Sequence, residues 1–95
     1  MSDGSMNPAL FLDLEIVNEL GLHARSAAQI VKLAQKAGSG VWLEKDEERV
    51  DAKQVVDILT LAAGKGDQVR VCIDDIRDRD ILDNIARLIR DGFRE

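Results

Sequence analysis

The sequence predicts an α+β fold, an open-faced sandwich in which three helices cover one face of a four-stranded sheet. The 95-residue chain alternates between period-2 stretches typical of strands and stretches with helical spacing, in the order β-α-β-β-α-β-α. The predicted strands are polar on one face, so only their other face is expected to be covered. Hydrophobic residues make up 45% of the chain, which is enough for the core of one small domain.

The first half of the chain contains a strand, a helix and the start of a second strand. The first predicted strand covers residues 10–17, where every second residue from Leu10 to Ile16 is apolar and is expected to face the core. From Ala24 the spacing becomes helical, and Gly38 and Gly40 are expected to end this helix. Its predicted core-facing residues are Ala27, Ile30, Val31 and Ala34.

The second half continues with two short strands, a helix, a fourth strand and a final helix. A strand alternating around Trp42, a charged turn over 45–48 and a strand over 49–51 come first. Asp51 and Gln54 have the spacing of a capping box, which predicts that a helix begins close behind them. Gly92 is the predicted end of the last helix. The residues expected to face inward are Val55, Ile58, Leu59 and Ala62 in the second helix, Val69, Val71 and Ile73 in the fourth strand, and Ile81, Leu82, Ile85, Leu88 and Ile89 in the last helix, with Phe93 folding back over its end.

Composition excludes several classes of protein. The formal net charge of −5 argues against a nucleic-acid binder, and no apolar run approaches the roughly 20 residues that a membrane-spanning helix needs. A single cysteine, Cys72, excludes an internal disulfide framework and fits a reducing cytoplasm. Residues 1–8 lack the features of a secretory signal and are expected to be a flexible tail before a domain over 9–95.

Metal and enzyme chemistry find little support in the residue pattern. One histidine and one cysteine make a zinc site very improbable, and the acidic stretch 74–83 lacks the ordered ligands and central glycine of a calcium loop. No paired general acid and base, nucleophile triad or cofactor-binding loop is evident, so no cofactor is expected.

The only histidine, His23, lies where the first strand pattern stops and the first helix pattern starts. The first amides of a helix lack partners within it and carry partial positive charge, so such an end binds anions, and phosphate in particular. A neutral imidazole beside these amides would be a nucleophile with a cradle for the phosphoryl group it receives. Arg25 could add a planar cationic donor to the same oxygens. A merely solvated histidine at a helix start is the alternative, which residue types alone do not exclude.

Gly21-Leu22-His23-Ala24-Arg25, followed by a helix of small residues, resembles the active-site signature of the HPr family. These proteins are the histidine phosphocarriers of the phosphoenolpyruvate-dependent phosphotransferase system. Residues 50–53 and 64–67 resemble the family's second-helix region and the turn after it, and the element order agrees over about residues 10–93. The resemblance implies an antiparallel sheet in the strand order 1-4-2-3.

The resemblance also implies a function. His23 would accept a phosphoryl group from enzyme I on Nδ1 and pass it to an EIIA-type domain, so that the protein is a cytoplasmic carrier with a transient phosphohistidine and not an enzyme. The amides of Ala24 and Arg25, with the Arg25 side chain, would hold the phosphoryl oxygens. Residues 18–21 and 91–93 are similar to the nitrogen-related branch, NPr. Sugar uptake and a regulatory nitrogen-type relay both remain open.

Partner docking needs an apolar surface near His23. The candidates are Leu22, Val55, Val56 and Leu59, of which Leu22 and Val56 are expected to be exposed. For Val55 and Leu59 an ordinary core role is favoured. A weaker hypothesis concerns the outward face of the sheet, where Phe11, Trp42 and Cys72 could form an apolar patch for self-association, although a monomer is expected.

Three residues depart from the family pattern. Ser26 stands where the family commonly has proline, which predicts a somewhat looser first turn of the helix. Leu20 replaces a small polar residue, so one hydrogen bond near the imidazole is expected to be missing. Gln54 aligns with the serine that a regulatory kinase phosphorylates in some members, and this regulation is expected to be absent. The alternative function is a non-catalytic HPr-like interaction module that binds a regulator without relaying phosphate.

Overall fold

The computed structural model of the protein describes residues 10–95, so the tail expected over 1–8 lies outside the described residues. Within them, the sheet is antiparallel and has the order β1-β4-β2-β3, which confirms the order implied by the HPr resemblance. The predicted order of strands and helices is also confirmed. The elements are β1 (Phe11–Glu15), α1 (Ala24–Ala34), β2 (Val41–Lys45), β3 (Glu48–Asp51), α2 (Val55–Thr60), β4 (Gln68–Ile73) and α3 (Arg79–Arg90), with short 3₁₀ turns at Ile76–Asp78 and Gly92–Arg94.

The three helices bury their apolar faces against one side of the sheet. The inward residues predicted for α1 and β4 are all buried, as are Leu82, Ile85 and Ile89 of α3, because their spacing matches the period of each element. Leu10 is an exception: it lies outside β1 and is 40% exposed, so its predicted inward position was wrong. The largest fully buried side chains include Ile16, Ile30, Leu43, Ile58, Val71 and Leu82.

The start of α2 differs from the prediction. The Asp51 carboxylate accepts a hydrogen bond from the Lys53 amide at 2.8 Å, so it closes the turn after β3 and does not cap α2. The N-cap is Gln54, whose side chain makes no capping hydrogen bond within the described residues. The predicted capping box was therefore wrong, although the helix does begin directly behind these residues. Ala62, predicted to face inward, is exposed at a φ of +51° because the chain turns away after α2.

On the outward face of the sheet, Cys72 lies between Phe11 and Trp42 in register, as expected from their predicted shared face. The Arg70 guanidinium lies 4.0 Å from the centre of the Phe11 ring, and that of Arg49 lies 5.0 Å from the Trp42 ring. These cations stack on the aromatic rings and make the patch less apolar than its sequence suggests. Self-association through it remains a prediction.

The end of α3 folds back towards the first loop. Gly92 has a φ of +63°, and the Phe93 side chain after it is only 3% exposed, as predicted. Gly92 lies beside Val17 and Asn18, where an added Cβ would be 3.6–3.7 Å from their side chains, an ordinary van der Waals contact. This turn brings Glu95 to the loop that carries His23. No helix in residues 10–95 has both the length and the apolar character needed to cross a membrane.

Candidate functional site

His23 is the N-cap residue of α1, and its imidazole is held at the helix start. Its backbone is extended, and its Nδ1 accepts a hydrogen bond from the Arg25 amide at 3.3 Å. Histidine is not a favoured capping residue, yet here the ring nitrogen does the work of a capping oxygen. The imidazole side chain remains 30% exposed. The predicted arrangement, a partly exposed imidazole facing the first amides of a helix, is therefore present.

Ser26 completes the cap from inside the first turn. Its hydroxyl oxygen accepts a hydrogen bond from the His23 amide at 2.9 Å, and its hydroxyl proton is donated to the Gly21 carbonyl at 2.9 Å. The residue is fully buried. The expectation of a looser first turn was wrong, because the serine hydroxyl forms the reciprocal half of a capping box that a proline at this position could not form.

The loop before His23 packs closely against the chain that follows α2. Gly21 has a φ of +63°, and a Cβ added to it would lie 2.5 Å from the Ala63 carbonyl oxygen. The Leu22 amide donates a hydrogen bond to that same oxygen at 2.8 Å. Leu22 is consequently only 6% exposed and joins the core, so its predicted exposure was wrong.

Glu95 is a site residue that the sequence analysis missed. Its Oε2 lies 2.6 Å from Nε2 of His23. The Arg25 amide donates to Nδ1, so Nδ1 carries the lone pair, and in the neutral imidazole the proton lies on Nε2 and is donated to Glu95. Hydrogen bonds from His23 and then from Asn18 lower the pKa of the Glu95 carboxyl from its ordinary value.

Asn18 fixes both this carboxylate and the loop. Its side-chain amide donates to the Gly21 carbonyl at 2.9 Å and to Oε1 of Glu95 at 3.1 Å, and it is only 5% exposed. Nothing local in the sequence indicates a contact between residues 72 positions apart, such as His23 and Glu95. Only the fold, which returns α3 beside β1, could have revealed it.

Ala24 and Arg25, the other predicted phosphate-binding residues, are exposed in the first turn of α1. The positive charge of Arg25 also helps to lower the pKa of the Glu95 carboxyl. Leu20 was expected to leave the imidazole one hydrogen bond short, but both ring nitrogens have partners, in Arg25 and Glu95. The site therefore combines an imidazole nitrogen that accepts a hydrogen bond from the first turn of α1, the amides of that turn and an exposed guanidinium.

The predicted docking residues on α2 differ in exposure. Val56 is 72% exposed, as expected, whereas Leu59 is 38% exposed, so the core role favoured for Leu59 was wrong. Val55 is half-buried against the core, and Gln54 is exposed. Leu20, an apolar residue close to His23 in the sequence, is 69% exposed. It was not among the predicted docking residues.

Elsewhere in residues 10–95, no group of three or more His, Cys, Asp or Glu side chains is arranged to hold a metal ion. Burial, reinforced by the nearby Glu44 carboxylate, raises the pKa of the Cys72 thiol to about 11. That thiol lies on the outward face of the sheet, away from the helix side that carries the core.

Comparison with known proteins gives a consistent result. The family model described as "PTS HPr component phosphorylation site" matches residues 12–91. The phosphocarrier protein HPr of Cupriavidus necator is 36% identical over 83 residues, which cover 87% of this chain and 93% of that protein. A crystal structure of HPr from Thermoanaerobacter tengcongensis, described as HPr-C-His, superposes with a TM-score of 0.84 at 34% identity and covers 90% of this chain and 96% of that one.

A second crystal structure from Thermoanaerobacter tengcongensis, described as an HPr dimer, superposes with a TM-score of 0.71 at 35% identity, over 86% of this chain and 94% of that one. The matched family model covers both the His23 loop and the three helices. These matches extend over most of the chain. The strand order and the position of the histidine at the start of α1 are also those that the HPr resemblance implied. The chain therefore belongs to the HPr family, the phosphocarrier proteins of the phosphotransferase system.

Proposed function

We propose that this protein accepts a phosphoryl group from phosphorylated enzyme I on Nδ1 of His23 and passes it to an EIIA-type domain. The observation that carries the proposal is the imidazole itself, with Nδ1 turned towards the first amides of α1 and Nε2 donating to Glu95. This geometry places the lone pair of the ring on the one nitrogen that faces an anion-binding helix end.

The residues of this site account for the bonds and charges that change during the phosphoryl transfer. The Nδ1 lone pair forms a bond to phosphorus while the bond from phosphorus to the donor breaks, and the donor keeps that electron pair. The imidazole retains its Nε2 proton, so the ring becomes a cation and the Glu95 carboxylate, 2.6 Å away, offsets the new charge. The Arg25 amide, which now donates to Nδ1, and the Ala24 amide can turn to the phosphoryl oxygens.

The site also suits release of the phosphoryl group. Arg25 is exposed, so its contact with a phosphoryl oxygen would be screened by water and would stabilise the phosphohistidine only modestly. A carrier needs such modest stabilisation, because the phosphoryl group must pass to the next protein. The phosphohistidine is therefore transient, and the same exposed face serves donor and acceptor in turn.

Docking is proposed for the apolar face of α2 beside the site. Val56 and Leu59 are exposed there, with Val55 half-buried beneath them. Gln54 lacks a hydroxyl, so regulation by phosphorylation at this position is absent. We place the protein in the cytoplasm as a monomer that meets enzyme I and the acceptor in succession.

Two branches remain for the acceptor. The residues over 18–21 and 91–93 that are similar to NPr favour a regulatory nitrogen-type relay, whereas the family as a whole equally admits sugar uptake. Incubating the phosphorylated protein with a nitrogen-type EIIA and, separately, with a sugar-specific EIIA separates them. The faster acceptor identifies the branch.

The deciding experiment mixes the protein with its cognate enzyme I and phosphoenolpyruvate and reads the intact mass, with His23→Ala in parallel. We expect one acid-labile phosphoryl group on the wild type and none on the variant. No gain by the wild type with an active cognate enzyme I would overturn the relay and favour the non-catalytic interaction module. A gain by His23→Ala would place the phosphoryl group on another residue.

A further inference from the structure

The side chain of Asn18 is a buried link between two parts of the site. Its Nδ2 donates to the Gly21 carbonyl and to Oε1 of Glu95, at 2.9 and 3.1 Å. Its backbone carbonyl accepts from the Gly21 amide at 3.2 Å, so residues 18 and 21 are joined twice. The loop before His23 and the turn after α3 therefore meet at one amide group.

The orientation of that amide is fixed by its neighbours. Both groups facing Nδ2 are acceptors, so a 180° rotation would place oxygen against oxygen. In the observed orientation, Oδ1 is buried and has no hydrogen-bond partner among residues 10–95. The two donated hydrogen bonds are what this residue contributes.

We propose that Asn18 is a positioning residue for phosphotransfer: it holds the Glu95 carboxylate against Nε2 of His23 and thereby keeps the imidazole lone pair on Nδ1. The chain of contacts runs from the Asn18 amide to Oε1 of Glu95 and from Oε2 of Glu95 to Nε2, and each carboxylate oxygen has one partner. Removing Asn18 frees the carboxylate to rotate away, and the two neutral tautomers of His23 then become more nearly equal. The inference rests on the proposed carrier function for its biological meaning, but not for its structural test.

Other charged groups lie close to this link. Glu19, Arg90 and Asp91 line the cleft beside Glu95, and Arg25 acts on its carboxylate from the start of α1. Arg25 or Arg90 could capture a Glu95 carboxylate that Asn18 no longer holds, since both are cations on neighbouring elements. Asn18 thus selects the imidazole over these arginines as the partner of Glu95.

The test measures the imidazole nitrogen chemical shifts of the unphosphorylated, ¹⁵N-labelled protein at a pH where the ring is neutral. In the wild type we expect the tautomer with the proton on Nε2 to dominate, and in Asn18→Ala its ratio to the other tautomer falls by roughly threefold or more. The titration midpoint of the Glu95 carboxyl, read from its ¹³C shift, moves upward in the same variant. Asn84→Ala, which removes an exposed asparagine from α3, leaves both readouts unchanged.

Two further variants keep the test decisive. Asn18→Asp preserves the shape of the side chain but replaces the donating amide with an acceptor, so it shifts both readouts in the same direction even if Asn18→Ala folds poorly. In a Glu95→Ala background, Asn18→Ala changes the tautomer ratio no further. An additional change in that background, or an unchanged ratio in both Asn18 variants, overturns the proposal, because either result removes Glu95 as the intermediary.

Phosphotransfer is then compared across the same variants. We expect the rate of phosphorylation by cognate enzyme I to fall by roughly threefold or more in Asn18→Ala, in step with the tautomer ratio. A wild type that is never phosphorylated overturns the carrier function. A phosphorylated wild type with an unaltered rate in Asn18→Ala overturns only the role of Asn18, so the two failures are distinguishable.

Discussion

Oε2 of Glu95 accepts a hydrogen bond from Nε2 of His23 at 2.6 Å, so the end of α3 supplies the second partner of the imidazole. The carboxylate is bound in its charged form by two donors, His23 and Asn18, and this holds the pKa of Glu95 below its ordinary value of 4.5.

The first prediction concerns the pH dependence of stability. Because folding lowers the pKa of the Glu95 carboxyl, its stabilisation is present above the unfolded pKa and is lost as the pH falls through the folded one. We therefore expect Glu95→Gln to unfold at lower urea concentration than the wild type at about pH 6, and the two midpoints to converge at a low pH where the Glu95 carboxyl is protonated in the folded protein. Glu47→Gln, in the exposed β2–β3 turn, should follow the wild type at both values. A difference that persists at the lower pH would contradict this role of Glu95.

The second prediction compares two glycines. Gly21→Ala introduces a Cβ 2.5 Å from the Ala63 carbonyl oxygen at a φ of +63°, whereas at Gly64 an added Cβ meets no described atom within 4 Å. We expect the first substitution to lower the free energy of unfolding by about 2 kcal/mol or more and the second to change it by less than about 0.5 kcal/mol. Urea titration measures both changes. Equal losses of unfolding free energy would show that the loop does not pack closely against Ala63.

The third prediction separates core from surface around the site. Leu22→Ala removes a buried side chain and should lower the free energy of unfolding by about 2–4 kcal/mol. Val56→Ala, at a 72% exposed position, should change it by less than about 0.5 kcal/mol and yet weaken binding to enzyme I. Calorimetric titration with enzyme I measures the binding. Unchanged affinity in Val56→Ala would exclude this part of α2 from the docking surface.

The fourth prediction tests the helix cap. Ser26→Ala leaves the His23 amide without its side-chain acceptor and should cost about 1–2 kcal/mol of unfolding free energy. Ser39→Ala, in the loop after α1, should cost less than about 0.5 kcal/mol. Thermal unfolding followed by circular dichroism compares them. A neutral Ser26→Ala would mean that the cap is dispensable and the first turn is held by packing alone.

The fifth prediction concerns the cysteine. Burial raises the pKa of the Cys72 thiol to about 11, so little reactive thiolate exists near neutral pH. Alkylation by iodoacetamide should be about a hundredfold slower in the folded protein than in urea. Mass spectrometry over time gives both rates. Comparable rates would show that the outward face of the sheet opens readily.

Local periodicity was enough to predict most of the fold. The alternation of Val69, Val71 and Ile73 and the helical spacing of Leu82 to Ile89 are strong because each pattern repeats over several turns or pleats. Where the pattern was short, tertiary contacts determined whether a side chain is buried. Leu22 was expected at the surface, but a backbone hydrogen bond to Ala63 draws it into the core.

The site was predictable only in its local part. His23, Ala24 and Arg25 are neighbours in the sequence, and their place at a helix start follows from the change of period. Ser26 was identified as a departure, but its buried hydroxyl network depends on the position of Gly21, which no local pattern reports. Glu95 reaches the imidazole through the packing of α3 against β1, a tertiary relationship that spacing along the chain cannot encode.

The return of α3 to the first loop has a consequence during synthesis of the protein. Among residues 10–95, β1 pairs only with β4 and Nε2 of His23 contacts the Glu95 carboxylate, so both contacts must wait until these distant segments have been synthesised. Contacts so distant along the chain slow folding, because the entropy of closing a long loop must be lost before they form. A truncated or partly folded chain would therefore present His23 without the Glu95 contact that orients the imidazole.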